Sequence, residues 1–214
     1  MIFKKNDILN LNKIERINLI NSITGIKPVN LIGTKNSNMI SNLAIFSSVV
    51  HISSSPPLIG FFLRSNSFIR RDTYENIISE KKYTLNHVNI ENIKNAHFTS
   101  IKFDKDISEF NACGFTEAYH NDFPAPFVAE SEIKIALILR EVVKLKHSAS
   151  KLIVGEVDSI ISNKKLLNSD LSLDLEKSNS VSVCGLNNYF NNNKILHLPY
   201  ARMEKLKTQL KKWI

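Results

Sequence analysis

Arg64, Arg70, Arg71 and Thr73 crowd into ten residues, and Asp72-Thr73-Tyr74-Glu75-Asn76 after them reads as the opening of a short helix with a side-chain cap. Guanidinium groups, a hydroxyl and the free backbone N–H groups of a helix start are together what an anion such as a phosphate requires. Upstream, Asn42-Leu43-Ala44-Ile45-Phe46 has strand character and could supply an apolar wall, polar backbone groups and, at Ala44, room for close approach. Ser47 and Ser48 follow with two hydroxyls. Each feature has a plainer reading. Arg70, Arg71 and Asp72 also describe a solvated helix start, and serines in a strand can face solvent or bond locally. Phe46 and Phe61 suit a core as well as a ring contact, and His97, beside Thr99 and Ser100, suits either a ligand wall or a satisfied core position.

Other chemistry lacks its signatures. The six glycines, at 25, 33, 60, 114, 155 and 185, stand too far apart for a dinucleotide-binding turn or a phosphate loop, which argues against a Rossmann domain. The six histidines include no His-Glu-x-x-His pair, and there is no Gly-x-Ser-x-Gly elbow, so metal hydrolysis and triad chemistry have no motif here. Cys113 and Cys184 are far apart and read as reduced packing residues, leaving neither a disulfide framework nor a thiolate metal site.

These side chains need a frame, and the pattern predicts a mainly β one with peripheral helices. Residues 9–23 carry apolar side chains at helical spacing until Gly25. Runs at 29–34, 43–52 and 58–63 read as strands, separated by Lys35-Asn36-Ser37-Asn38 and by the turn containing Pro56-Pro57. Residues 82–88, 133–145 and 151–161 continue the β pattern, the last two suited to antiparallel pairing. Residues 178–193 read as loops around one short strand, and Met203, Leu206, Leu210 and Trp213 share one face of a terminal helix. The order of elements suggests a barrel or sandwich.

Length and composition agree with one globular domain over residues 1–214, with 43% apolar and 22% charged residues. No apolar run is long enough for a membrane helix, and the opening Met-Ile-Phe-Lys-Lys-Asn-Asp lacks a secretory signal's apolar stretch, so a cytosolic protein without a membrane partner is expected. The net charge of +8 is compatible with nucleic acid or small anions. Its cations are scattered, densest at 205–212, and no nucleic-acid motif accompanies them, which favours a solvated surface.

The ordered set Val29 to Thr34, Asn42 to Ser48, Pro56-Pro57-Leu58-Ile59-Gly60-Phe61, Arg64 and Arg71-Asp72-Thr73-Tyr74-Glu75-Asn76-Ile77 resembles the flavin-reductase-like family. The likeness continues through Tyr83 to Val88, Ala96 to Ser100, Pro126 to Ser131, Val154-Gly155-Glu156-Val157 and Gly185 to Tyr189. It implies an FMN-binding, Greek-key-like split β-barrel that dimerises and holds FMN at the subunit interface. It also implies NADH or NADPH as electron donor, with onward transfer to an acceptor, for which a partner protein is one candidate.

On that basis Arg64, Arg71 and Thr73, with Arg70 assisting, are expected at the FMN phosphate. Asn42, Leu43, Ala44, Ile45 and Phe46 would line the ring, Ser47 and Ser48 would reach the ribityl chain or phosphate, and His97 would lie near the ring face. No catalytic side chain is demanded, because the cofactor carries the chemistry. An electron carrier without nicotinamide activity is the second expectation, and nucleic-acid binding the third. Two departures stand out: Tyr200-Ala201-Arg202 precedes Met203 where relatives carry proline, and Cys184 precedes Gly185 where a small residue is usual.

Overall fold

A computed structural model describes residues 1–64, 71–198 and 200–203. Arg70, the basic stretch at 205–212 and Leu206, Leu210 and Trp213 of the expected terminal helix lie outside the described residues.

Two helices come first, α1 (Lys5–Asn10) and α2 (Lys13–Ser22). The helical run expected at 9–23 is thus broken near its start, because Asn12 leaves the helical conformation to cap α2. Its side-chain oxygen accepts from the N–H groups of Ile14 and Glu15, both at 3.0 Å, and Glu15 reaches back to the Asn12 N–H at 3.3 Å. Strands β1 (Ile26–Pro28), β2 (Asn30–Lys35), β3 (Ser41–Phe46), β4 (Val49–Ser54) and β5 (Pro57–Leu63) follow. The single run expected at 43–52 is two strands, since the chain turns at Ser47-Ser48.

Next come α3 (Asp72–Glu80), β6 (Lys82–His87), α4 (Ile93–Phe98), α5 (Glu109–Ala112), β7 (Glu117–Ala118), β8 (Phe127–Val128), β9 (Ile133–Lys144) and β10 (Lys151–Ser162). The chain continues with β11 (Val181–Cys184) and β12 (Asn188–Asn191), a hairpin where one short strand was expected. The cap residue of α3 is Arg71, with no side-chain cap hydrogen bond, contrary to expectation. The Thr73 hydroxyl is turned away from the helix end, towards Asn42.

Seven strands form the main sheet in the order β3-β2-β6-β9-β10-β5-β4, every adjacent pair antiparallel. Its two edge strands, β3 and β4, follow each other in the chain through only Ser47 and Ser48. Phe46 of β3 meets Phe61 of β5 edge to face at 4.9 Å between ring centres. The sheet therefore curls until its edges approach, yet no ladder joins them among the described residues. This is a split barrel. Ile32, Phe61, Ile77, Tyr83, Leu85, Leu137 and Ile153 fill its interior.

At β2 and β6 the outer face is buried too, which explains why these strands do not alternate simply between apolar and polar residues. Thr84 and Asn86 on β6 point away from Tyr83 and Leu85, and both are fully buried. Thr84 donates to the Pro126 carbonyl at 2.6 Å, while Asn86 donates to the Leu31 carbonyl and accepts from the Val128 N–H, each at 3.1 Å. These bonds clamp the 126–128 segment across β2. There Gly33 is required, because a Cβ would lie 2.2 Å from the Pro126 oxygen. Leu31, Leu43, Val88, Phe110, Phe115, Val128, Val181 and Val183 form the second core beneath that cover.

Candidate functional site

The split between the barrel's edges opens into a cavity of about 530 Å³, within the ~300–1,000 Å³ range of small-molecule sites. Ala44, Ile45 and Phe46 of β3 form one wall, and Ser47 and Ser48 make the corner. Phe62, Leu63 and Arg64 at the end of β5 form the opposite wall. Arg71 at the cap of α3, Asp72 and Thr73 in its first turn, residues 99–103 and the end of α2 also line the cavity.

Asn42, Ala44, Ile45, Phe46, Ser47, Ser48, Arg64, Arg71 and Thr73, singled out from the sequence, line this one cavity. Leu43 lies behind the wall in the second core, as strand alternation requires. His97 is not in the lining; its Nδ1 is 2.9 Å from the Tyr189 hydroxyl and its ring packs edge to face on Tyr189. Its neighbours Thr99 and Ser100 do line the cavity.

Hydrogen bonds sort the polar side chains into committed and available groups. The Ser48 hydroxyl donates to the Phe62 carbonyl at 2.8 Å and accepts from the Phe62 N–H at 3.2 Å, carrying the β4–β5 pairing one residue further into the corner. The Ser47 hydroxyl has no partner among the described residues. Thr73 donates to the Asn42 side-chain oxygen at 2.9 Å, and Thr34 donates to the same oxygen at 3.3 Å. Asn42 in turn donates to Glu109 at 2.6 Å. The same carboxylate oxygen accepts the Leu43 N–H at 3.0 Å. Thr73 and Asn42 therefore tie α3 to β3 and α5, with their hydrogen-bonding groups turned into the protein.

Lys27, Arg64, Arg71 and Lys102 bring positive charge to the cavity, and Asp72 and Glu109 bring carboxylates. Arg71 and Lys102 make no ion pair among the described residues. Burial pushes the Glu109 carboxyl above its ordinary range, opposed by its hydrogen bonds from Leu43 and Asn42 and reinforced by the nearby Asp72 charge. Sequence reasoning missed Asn21, Thr24, Lys27, Lys102 and Glu109. Each comes from a segment distant in sequence from the Arg-rich stretch, and no local motif marks them.

A cationic rim, a hydroxyl without a partner among the described residues, the N-terminal turn of a helix and an apolar wall suit a flat ligand that carries a phosphate. The family model described as "Flavin reductase like domain" matches residues 26–174. A structure from Shewanella frigidimarina NCIMB 400, titled as a candidate flavin reductase with a split barrel domain, is 39% identical. It superposes with a TM-score of 0.89, covering 94% of this chain and 100% of that one. Flavoredoxin of Desulfovibrio vulgaris (Miyazaki F) is 21% identical with a TM-score of 0.71, over 83% of this chain and 92% of its own. An FMN-binding protein from Thermus thermophilus is 14% identical with a TM-score of 0.68, over 81% and 90%. The last two likenesses concern the fold.

Proposed function

The chain belongs to the flavin reductase-like family, and from that premise we propose that it is an FMN-binding oxidoreductase that takes electrons from NADH or NADPH. The observation that carries this reading is the convergence of Arg64, Arg71, Lys27 and Lys102 with the Ala44–Phe46 wall on one cavity at the barrel's split.

The residues fit FMN. Arg71 and Lys102, with no ion pair among the described residues, together with Arg64 and the first turn of α3, hold the phosphate. The Ser47 hydroxyl, without a partner among the described residues, would meet the ribityl chain or phosphate. Ala44, Ile45 and Phe46 exclude water from one side of the ring, and the polar backbone of β3 faces its pyrimidine edge. FMN, when bound, would supply the redox chemistry between a reduced nicotinamide and the onward acceptor. The protein's share is to bind, orient and shield.

A homodimer belongs to the same proposal. Ile20 and Phe62 line the cavity yet remain 43% and 37% exposed, so a second subunit would cover apolar surface and finish the wall. One domain over residues 1–214, working in the cytosol, completes the reading. Light scattering of the purified protein tests the dimer.

Purification in FMN, removal of the excess, and visible spectra before and after NADH or NADPH test the activity. Retained flavin that bleaches supports the reductase. Retained flavin that does not bleach replaces it with an electron carrier reduced by a partner protein. A colourless protein that also fails to bind FMN in titration overturns both.

A further inference from the structure

Asn21, in the last turn of α2, lies outside the residues matched by the family model and still lines the cavity. Four side-chain hydrogen bonds meet on it, one of them from the Thr24 hydroxyl to its backbone carbonyl at 3.3 Å. Its side-chain oxygen accepts from the Arg64 guanidinium. Its backbone carbonyl accepts from the Lys27 ammonium at 2.7 Å, and Lys27 also reaches the Thr24 hydroxyl at 3.3 Å. Its amide nitrogen donates to the Ile17 carbonyl at 2.6 Å, which fixes the oxygen towards Arg64.

The placement follows from simple electrostatics. The last carbonyls of a helix carry partial negative charge and lack intrahelical donors, so they favour cations. Lys27 sits on one of them, and a neutral amide holds Arg64 beside it. A carboxylate at residue 21 would hold the guanidinium equally well but would cancel its charge. Asn21 restrains Arg64 and leaves that charge available to a ligand.

We infer that Asn21 is a positioning residue that gathers Arg64 and Lys27 into one cationic pair, and that this pair recognises the phosphomonoester of the ligand in the cavity. The inference rests on the flavin reading above. It adds Lys27 to the phosphate contacts and makes α2 part of the cofactor site. It also separates two roles that a single affinity would merge: the ring is held by the barrel wall, while part of the phosphate's grip depends on a helix outside the family-matched region.

FMN and riboflavin differ by the phosphate alone, so the pair of ligands reads this directly. Dissociation constants for both are measured by fluorescence titration on the wild type, Asn21→Ala and Lys27→Met. Each variant is expected to weaken FMN binding roughly five- to tenfold, the scale of one charge-assisted contact at a partly exposed site, and to leave riboflavin binding unchanged. Equal loss of both ligands, or no change in either, in a wild type that binds FMN would overturn the role of Asn21 and leave the flavin reading standing. A wild type that binds neither flavin would overturn the flavin reading, and this inference with it.

Discussion

The Tyr83 hydroxyl occupies the space that a side chain at residue 155 would need: a Cβ on Gly155 would lie 2.1 Å from that oxygen and 2.9 Å from the ring carbon that bears it. The hydroxyl is buried and has no hydrogen-bond partner among the described residues, and burial pushes its pKa up. Gly155→Ala should therefore cost about 2 kcal/mol or more through overpacking. Tyr83→Phe should be neutral or mildly stabilising, because it removes an unpaired polar atom. In the double variant part of the Gly155→Ala loss should return, though the ring carbon still crowds the methyl. A urea-denaturation cycle over the four proteins measures the coupling, and strict additivity would contradict the packing described.

Glu109 concentrates two accepted hydrogen bonds on one buried oxygen. Glu109→Ala leaves the Asn42 amide and the Leu43 N–H without that acceptor and should cost about 3 kcal/mol, whereas Glu109→Gln, with its carbonyl at the same place, should cost less than half of that. The raised pKa also sets a pH dependence. The folded state holds this proton more tightly than the unfolded chain, so the group's stabilising contribution is full below the ordinary carboxylate value and is lost as pH rises through the raised one. Chemical denaturation across that range should show a downward slope in the wild type that Glu109→Gln removes.

His87 acts with the opposite sign. Burial lowers its pKa from 6.5 to about 4, with Nδ1 3.3 Å from the Ser180 hydroxyl. The unfolded chain takes up the proton first, so the contribution is present above pH 6.5 and is lost as pH falls towards 4. The slope attributable to this residue reaches at most about 1.4 kcal/mol per pH unit. An NMR titration that finds the His87 ring protonated in the native protein at pH 6 would refute this.

Ser47 and Ser48 are neighbours with different work. Ser48→Ala removes the two bonds to Phe62 and should lower stability by about 1 kcal/mol. Ser47→Ala, which breaks no bond among the described residues, should leave the thermal midpoint unchanged and weaken FMN binding instead. Melting curves and FMN titrations on both variants separate the two roles.

Thr73 should behave as a structural residue. Its hydroxyl donates to Asn42, so Thr73→Val should lower stability by about 1–2 kcal/mol with only an indirect effect on FMN affinity. Arg71→Ala should do the reverse, loosening FMN while leaving the denaturation midpoint nearly unchanged. The paired measurement fails if the two variants affect FMN equally.

What the sequence disclosed was local. Residues 29–34, 82–88, 133–145 and 151–161 are rich in β-branched and aliphatic residues, and each became a strand. The segments holding Ala44–Phe46 and Arg71–Thr73 were identifiable because one element carries each group. Contributions that depend on chain reversal were not legible. The turn at Ser47-Ser48 interrupts an unbroken apolar run, so residues 43–52 looked continuous. The Thr73 hydroxyl read as a phosphate donor until its partner Asn42, on another element, was in view. Lys27 and Lys102 read as ordinary surface lysines, since only the tertiary fold brings β1 and residues 99–103 to the barrel's split.

One consequence of the Glu109 contact concerns self-association. Strand β3 lies at an edge of the main sheet, where outward N–H groups offer a template to any other extended chain. The Leu43 N–H is already taken by a carboxylate at 3.0 Å, and α5 packs along the same strand. An incoming strand would have to displace a buried side chain held by two hydrogen bonds before it could form its first bond there. The contact that orders one wall of the cavity thus also guards the sheet against growing by another molecule's strand.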